Sequence, residues 1–187
     1  LTSVEEVVVL GDWKEVTPDK KDASIVLLGS REIDDQAINH FEELTYLVPN
    51  LNFAASDSRA RYFQIRGIGE RSGYQGTPNS SVGFLIDDID YSGQGGIATT
   101  FDIDQVEIHR GPQGSRIGAN ALAGLIYIKT KDPTKEFESK GRVVLGSYGR
   151  KSIGLAASGP LKINDDVTYR LALHKHEEDG FRKNIYL

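Results

Sequence analysis

Three groupings of polar residues have types and spacings that could do chemistry. Asp87, Asp88 and Asp90 put three carboxylates within a few residues, a donor set that suits Ca²⁺. The glycine and distal glutamate of a calcium loop are missing, however, and a turn at a strand end accounts for the three better. His174 and His176 fall on one face of an alternating segment, with Glu177 and Glu178 close behind. Two imidazoles so placed could hold a metal, although a plain polar strand face is the simpler reading. Serine, histidine and aspartate all occur, but without a nucleophile elbow or a paired-acid motif. Gly67 and Gly69 open a dinucleotide-like pattern that fails at Ser72, with no strand–helix–strand unit behind it. No catalysis, metal or cofactor is therefore expected. Arg66 in Gln64-Ile65-Arg66-Gly67 and Arg110 in Arg110-Gly111-Pro112 are different. A guanidinium fork grips carboxylates with two prongs and stays charged when buried. Glu107 and Asp104 are candidate partners within the same region.

These side chains need elements to position them. Residues 24–28 read as a strand, and Ser30 as the cap of a helix with Asp34 and Asp35 in its first turns. Phe41, Leu44, Leu47 and Val48 recur at helical spacing until Pro49 stops them. Strands are expected over 62–66, 82–86, 103–109 and 125–130, with Gly-rich loops over 70–81 and 91–96. The interleaving predicts an α+β domain with a small mixed β-sheet and short helices. Gly111, Gly114, Gly118 and Gly124 mark close packing or tight turns between the last two strands.

Beyond Pro133 the pattern changes to period two. Val143 and Leu145 alternate with Val144 and Gly146, Ile153, Leu155 and Ala157 with small or polar neighbours, and Tyr169, Leu171 and Leu173 with Arg170, Ala172 and His174. Turn residues separate the three segments, which predicts antiparallel hairpins. One apolar face and one small or polar face suit lipid outside and water inside, and suit a half-buried soluble sheet equally. Three strands cannot close a barrel, and a fourth alternating run over 181–187 is cut short. The alternation alone leaves both readings open; the family resemblance set out next implies a fragment carrying the first strands of an incomplete transmembrane β-barrel.

The block over 102–131 also carries a family pattern. It resembles the plug domain of TonB-dependent outer-membrane receptors, recognised by E-[IV]-x-R-G-P-x-[GS] followed by spaced glycines and I-x-I-x-T-[KR]. The matching positions are Glu107, Ile108, Arg110, Gly111, Pro112, Gly114, Gly118, Ala121, Gly124, Ile126, Ile128, Thr130 and Lys131. Family members often carry Tyr where Ile117 stands and Asp-Gly where Asp87-Asp88 stands, so Asp88 must find its own turn conformation. The resemblance implies three parts: residues 1–21 as an exposed arm with a TonB-box-like segment, 22–133 as the plug, and 134–187 as barrel strands. It assigns TonB binding to Glu6, Val7, Val8, Val9 and Leu10, an apolar run able to add as a strand to a partner's sheet. It assigns plug–barrel contacts to Arg66 and Arg110, and substrate contacts on the loops to Arg71, Tyr74, Gln75, Tyr91 and Gln94. The implied function is active uptake of a scarce nutrient, most often an iron–siderophore complex, across the outer membrane of a Gram-negative bacterium. The plug would be accessible from the periplasm and energised through the TonB carboxy-terminal domain. A soluble periplasmic plug-like module without transport is the competing implication.

Charge and composition agree with a bipartite chain. Residues 1–136 hold 13 Lys and Arg against 21 Asp and Glu, whereas residues 137–187 hold 9 against 6. An acidic domain lacks the clustered basic face that nucleic acid requires. Cysteine is absent, which removes disulfides and thiolate metal sites. No signal peptide is legible at the start, and no apolar run is long enough for a transmembrane helix.

Overall fold

A computed structural model describes residues 8–9, 24–36, 38, 40–55, 60–72, 80–94, 99–114, 118, 120–161 and 164–179, with only the backbone at 164–166. The chain divides into two compact units, Leu1–Thr130 and Lys131–Leu187.

The first unit is built on a five-stranded sheet of β1 (Ser24–Gly29), β4 (Val82–Ile86), β5 (Ile89–Asp90), β6 (Ile103–Arg110) and β7 (Gly124–Thr130), in the order β1-β6-β7-β4-β5. The sheet is mixed, as expected: β4 and β7 run parallel, while β1–β6, β6–β7 and β4–β5 are antiparallel. A separate hairpin pairs β2 (Leu51–Ala55) with β3 (Ala60–Ile65). Two short helices, α1 (Ser30–Asp35) and α2 (Phe41–Leu44), complete the described part of the unit.

Val106 and Ile108 of β6, Ile126 and Ile128 of β7, and Val82 and Phe84 of β4 share one face and form the main core with Ile33, Phe41, Leu44 and Phe63. Phe41, Phe63 and Phe84 lock α2, β3 and β4 together, with ring centroids 5.0 to 5.6 Å apart. Such pairs add about 0.5–1.5 kcal/mol each beyond their buried area.

Local chemistry moves some boundaries. Ser30 is the first helical residue rather than the cap, because β1 runs on to pair Gly29 with Gln105. Gly29 is the cap, and its N–H donates to the Glu32 carboxylate at 3.2 Å. The second helix stops at Leu44, before the expected Val48. There the Thr45 hydroxyl donates to the Glu42 carbonyl at 2.6 Å and the chain breaks into turns. Strand β2 had no sequence signal beyond a short alternation of Leu51 and Phe53.

Asp87 and Asp88 form the two-residue link of the β4–β5 hairpin, with φ of 46° and 69°. Positive φ at both positions matches the twist of a tight hairpin, which usually recruits Asn-Gly or Asp-Gly. The Asp87 carboxylate accepts from Thr130 N–H at 3.0 Å and from its hydroxyl at 2.5 Å, with Lys129 Nζ 3.7 Å away. Thus the carboxylate trio is a strand-end turn, and it fastens the last residue of β7.

In the second unit, β8 (Glu138–Leu145), β9 (Lys151–Leu161) and β10 (Asn164–Glu177) form an open antiparallel sheet in the order β10-β9-β8. Register puts Val143 beside Ile153 and Leu155 beside Leu173. Ser158 ties the sheet to its lead-in: its hydroxyl donates to the Tyr169 carbonyl and accepts from Thr134 N–H, at 2.9 and 2.8 Å. No described helix is long and apolar enough to cross a membrane, which leaves strands untouched by that criterion.

A left-handed backbone costs a non-glycine residue roughly 1–2 kcal/mol, and less for aspartate. Replacing Asp88 with Gly should therefore stabilise the chain by about 0.5–1 kcal/mol after the added chain entropy is subtracted. Thermal unfolding of D88G beside D88A checks this. A midpoint for D88G at or below that of the parent would show that the Asp88 side chain stabilises the turn through contacts of its own.

Candidate functional site

The opposite face of β6 carries Gln105, Glu107 and His109, at 8%, 0% and 0% exposure. Strand alternation places them there while Val106 and Ile108 enter the main core. Leu27 of β1 and Tyr127 of β7 flank Glu107 in register. One Glu107 carboxylate oxygen meets His109 Nε2 at 2.7 Å, and the other accepts from Gln105 Nε2 at 2.9 Å. The same Gln105 amide donates at 2.8 Å to the carbonyl of Val8. His109 Nδ1 is buried without a hydrogen-bond partner among the described residues.

This ladder corrects two expectations. The arm is not exposed at its two described positions: Val9 is fully buried and Val8 is half-buried. An apolar side chain and a satisfied carbonyl are both better inside than in water. Glu107, a candidate partner for the arginines, points away from Arg110 and serves Gln105 and His109. Sequence alone carried one clue, the spacing Gln-x-Glu-x-His within a strand. Glu6, Val7 and Leu10 lie outside the described residues.

Arg110 ends β6 opposite Gly124, on the face of the main core. A Cβ on Gly124 would overlap the His109 carbonyl oxygen and lie 2.7 Å from Ile65 Cδ1. Only glycine lets β3 approach this closely, and the approach sets the end of β3, with Arg66 next along the chain, beside the Arg110–Gly124 rung. Arg66 is exposed, takes φ of 55°, and donates its backbone N–H to the Asn50 carbonyl at 2.9 Å. Arg110 is half-buried, and its Nε is buried without a hydrogen-bond partner among the described residues. Among the described residues, neither side chain forms an ion pair with Asp104 or Glu107.

Register places the start of β4, the end of β6 and the start of β7 at one end of the sheet. The loops there meet in a chain of hydrogen bonds. Glu70 closes the 70–81 loop by accepting from Ser81 N–H and hydroxyl at 3.0 and 2.6 Å. Ser80 N–H donates to Asn120 Oδ1 at 3.0 Å, and Asn120 Nδ2 donates to Asp90 at 2.7 Å. Asp90 also accepts from Ser92 N–H at 2.8 Å, and the Ser92 hydroxyl accepts from Phe84 N–H at 3.0 Å. Burial pushes the Asp90 carboxyl up, but the bonds from Ser92 and Asn120 outweigh it and hold the group below its ordinary value.

Of the expected loop residues, Arg71 and Gln94 are exposed near this end. Tyr91 departs from expectation, since it packs against the main core. It lines an apolar pocket of about 260 Å³ with Ile86, Thr99, Phe101, Ile103, Ile128 and Thr130. Its backbone N–H donates to the Phe84 carbonyl at 2.8 Å, which turns the ring inward. Tyr74 and Gln75 lie outside the described residues. Of the two histidines in the tail, His174 Nε2 contacts the Ser152 hydroxyl at 2.8 Å and His176 lies 3.4 Å from the Glu178 carboxylate.

Comparison with known proteins agrees with this architecture. The family model of the TonB-dependent receptor plug domain matches residues 17–125, and the chain belongs to that family, which is one of receptors rather than enzymes. The ferripyoverdine receptor of Pseudomonas aeruginosa is 25% identical over 167 residues, which are 89% of this chain and 20% of that receptor. The pesticin receptor of Yersinia pestis is 27% identical over 161 residues, 84% of this chain and 23% of the receptor. A crystal structure of the Pseudomonas aeruginosa outer-membrane ferripyoverdine receptor bound to ferripyoverdine superposes with a TM-score of 0.78 at 22% identity. That match covers 92% of this chain and 22% of the other, and it establishes the fold. The chain spans about a fifth of the length of these relatives.

Removing one partner of a buried hydrogen-bonded pair strands the other, at about 1–3 kcal/mol, while replacing both with apolar groups is often close to neutral. E107A should therefore destabilise the chain by that amount in denaturant titration, and E107L/H109L should recover most of it. A loss below about 1 kcal/mol for E107A, the level of an exposed pair, would show that Glu107 is solvated rather than locked in the sheet.

Proposed function

We propose that this chain is the plug and first barrel strands of an outer-membrane receptor that takes up a scarce nutrient, an iron–siderophore complex by class. The observation that carries the reading is the apolar face of the second unit. Val143, Leu145, Ile153, Leu155, Leu171 and Leu173 share it at 53–76% exposure. An unpartnered apolar face of this breadth is costly in water and at home in lipid. Lys151 and the Lys175–Glu177 pair, 2.6 Å apart, bound this face near the Tyr148 turn, as a band ending at a polar boundary would require. The domain scheme follows: an arm over 1–21, a plug over 22–133, and barrel strands over 134–187.

Within that scheme the Glu6–Leu10 segment is the TonB-binding box. Its β-branched side chains suit strand addition to the TonB carboxy-terminal domain. Arg66 and Arg110 face carboxylates of the barrel wall, a role supported by the lack of an ion pair to Asp104 or Glu107 among the described residues. Arg71 and Gln94, with Tyr74 and Gln75, receive substrate on the outward loops. The ferripyoverdine named for one relative supports the class of ligand and leaves its identity open. The competing reading is a soluble periplasmic module that binds without transport.

Three measurements test these assignments. The whole gene product should fractionate with the outer membrane and run faster in detergent gels when unheated; recovery in the soluble periplasm would favour the module. Deleting residues 6–10 should abolish retention by the immobilised TonB carboxy-terminal domain and, because Val9 is buried and Gln105 holds the Val8 carbonyl, lower the thermal midpoint while keeping a cooperative transition; equal retention would end the box assignment. In the whole receptor, R66A or R110A should loosen the plug by roughly 3–5 kcal/mol per stranded partner, read as faster proteolysis within the plug. Unchanged proteolysis would reduce both to solvated surface pairs worth about 0–1 kcal/mol.

A further inference from the structure

Asn120 belongs to the Arg-Gly-Pro block but lies outside its signature positions. We infer that it is the positioning residue that clamps three loops of the plug into one receiving surface, an assignment that rests on reading those loops as the place where substrate arrives. Its side chain is used at both ends. Oδ1 accepts from Ser80 N–H at 3.0 Å, at the foot of the loop that carries Arg71, and Nδ2 donates to Asp90 Oδ2 at 2.7 Å, at the foot of the turn that carries Gln94.

The backbone on either side completes the clamp. Ala121 N–H donates to the Ser80 carbonyl at 3.1 Å, and Ala123 N–H to the Ser81 carbonyl at 2.8 Å. From the other direction, Gln113 N–H donates to the Ala121 carbonyl and Gly111 N–H to the Ala123 carbonyl, at 2.9 and 3.0 Å. Residues 120–123 therefore lie as a tie between the segment after β6 and the segment before β4. Ala121 takes φ of 70° to make the bend, a conformation that an alanine holds only when its surroundings enforce it.

Asn120 joins the turn after β5 to the other two loops directly as well as through the sheet. With it, Asp90 and Ser92 are in the same network as Glu70 and Ser81. Asparagine suits the position because its amide offers one acceptor and one donor edge. Aspartate would set a carboxylate against Asp90, and alanine would offer nothing. These bonds hold the Asp90 carboxyl below its ordinary value, so the stabilisation they give is fully present above the ordinary aspartate pKa and weakens as pH falls through the lowered one.

The polarity of the link allows a swap. N120D places two carboxylates face to face, and D90N places two amide N–H₂ groups face to face. The double change N120D/D90N restores every bond in reverse. The new amide at position 90 donates to the new carboxylate at position 120 and still accepts from Ser92 N–H, while that carboxylate still accepts from Ser80 N–H. The test is amide hydrogen exchange, by mass spectrometry, on the whole gene product in detergent. Each single variant should raise exchange about tenfold, the worth of a charged hydrogen bond, at residues 80–81, 92–94 and 120–123 together. The double variant should return all three to within about twofold of the parent, a residue consistent with the reversed charge. Faster exchange confined to the segment carrying the substitution, or a double variant no better than the singles, would overturn the clamp. Alanine at Arg71 and Gln94 without effect on uptake of radiolabelled iron by cells would instead remove the substrate-receiving reading, and would leave the exchange result standing.

Discussion

A carboxylate and an imidazole 2.7 Å apart, both shut away from solvent, fix the register on which the first unit depends. Sliding β6 by one residue would turn Glu107 and His109 into the phenylalanine cluster and send Ile108 to the polar side. Such a slip inverts every side chain of the strand; the three polar groups would keep one another, but they would be carried into the apolar core and Gln105 would lose the Val8 carbonyl. The register of β6 aligns β1 on one side and β7 on the other. Arg110 opposite Gly124, and the loops that leave this end of the sheet, inherit their positions from it. The ladder is thus more than local stabilisation. It decides where the family block points, and through Gln105 it holds the backbone at Val8.

Much of the sheet was legible from the residues. The runs Val82–Ile86, Ile103–Arg110 and Gly124–Thr130 are apolar or alternating and bounded by aspartates or glycines, so pattern and propensity agree. The alternation beyond Pro133 was equally plain, because strands with one exposed face keep period two. What escaped was decided by tertiary partners. A cap moved from Ser30 to Gly29 because β1 gained a rung against β6. The burial of Val9 depends on a glutamine far along the chain, at position 105. Tyr91 looked like a loop side chain, and only the Phe84 carbonyl, which holds its backbone, shows that the ring goes inward. Asn120 was invisible because an asparagine beside glycines and alanines reads as a turn former until its two partners are seen.

The two units use hydrogen bonding differently. In the first, polar side chains join segments remote in sequence, as when Asp87 holds both polar groups of Thr130. In the second, the ladder between neighbouring strands carries most of the order, and Ser158 adds one knot at the entry. The contrast follows from topology: an open sheet of adjacent hairpins needs little beyond its own backbone pairing.

The parallel pairing of β4 with β7 has a consequence in time. Its two strands are separated by β5, β6 and the whole Arg-Gly-Pro block, and β1 also waits, since its neighbour in the sheet is β6. Contacts so distant in sequence carry a loop-closure cost before they return any stability. A growing chain that has emerged only as far as β4 can close the β2–β3 hairpin but no rung of the five-stranded sheet. Assembly of that sheet is deferred until β6 and Gly124–Thr130 are available, and then several rungs close together. Until β6 emerges β1 has no strand to pair with, and until β7 emerges β4 has only the two residues of β5, so the order of the strands acts as a timer on when the domain becomes rigid.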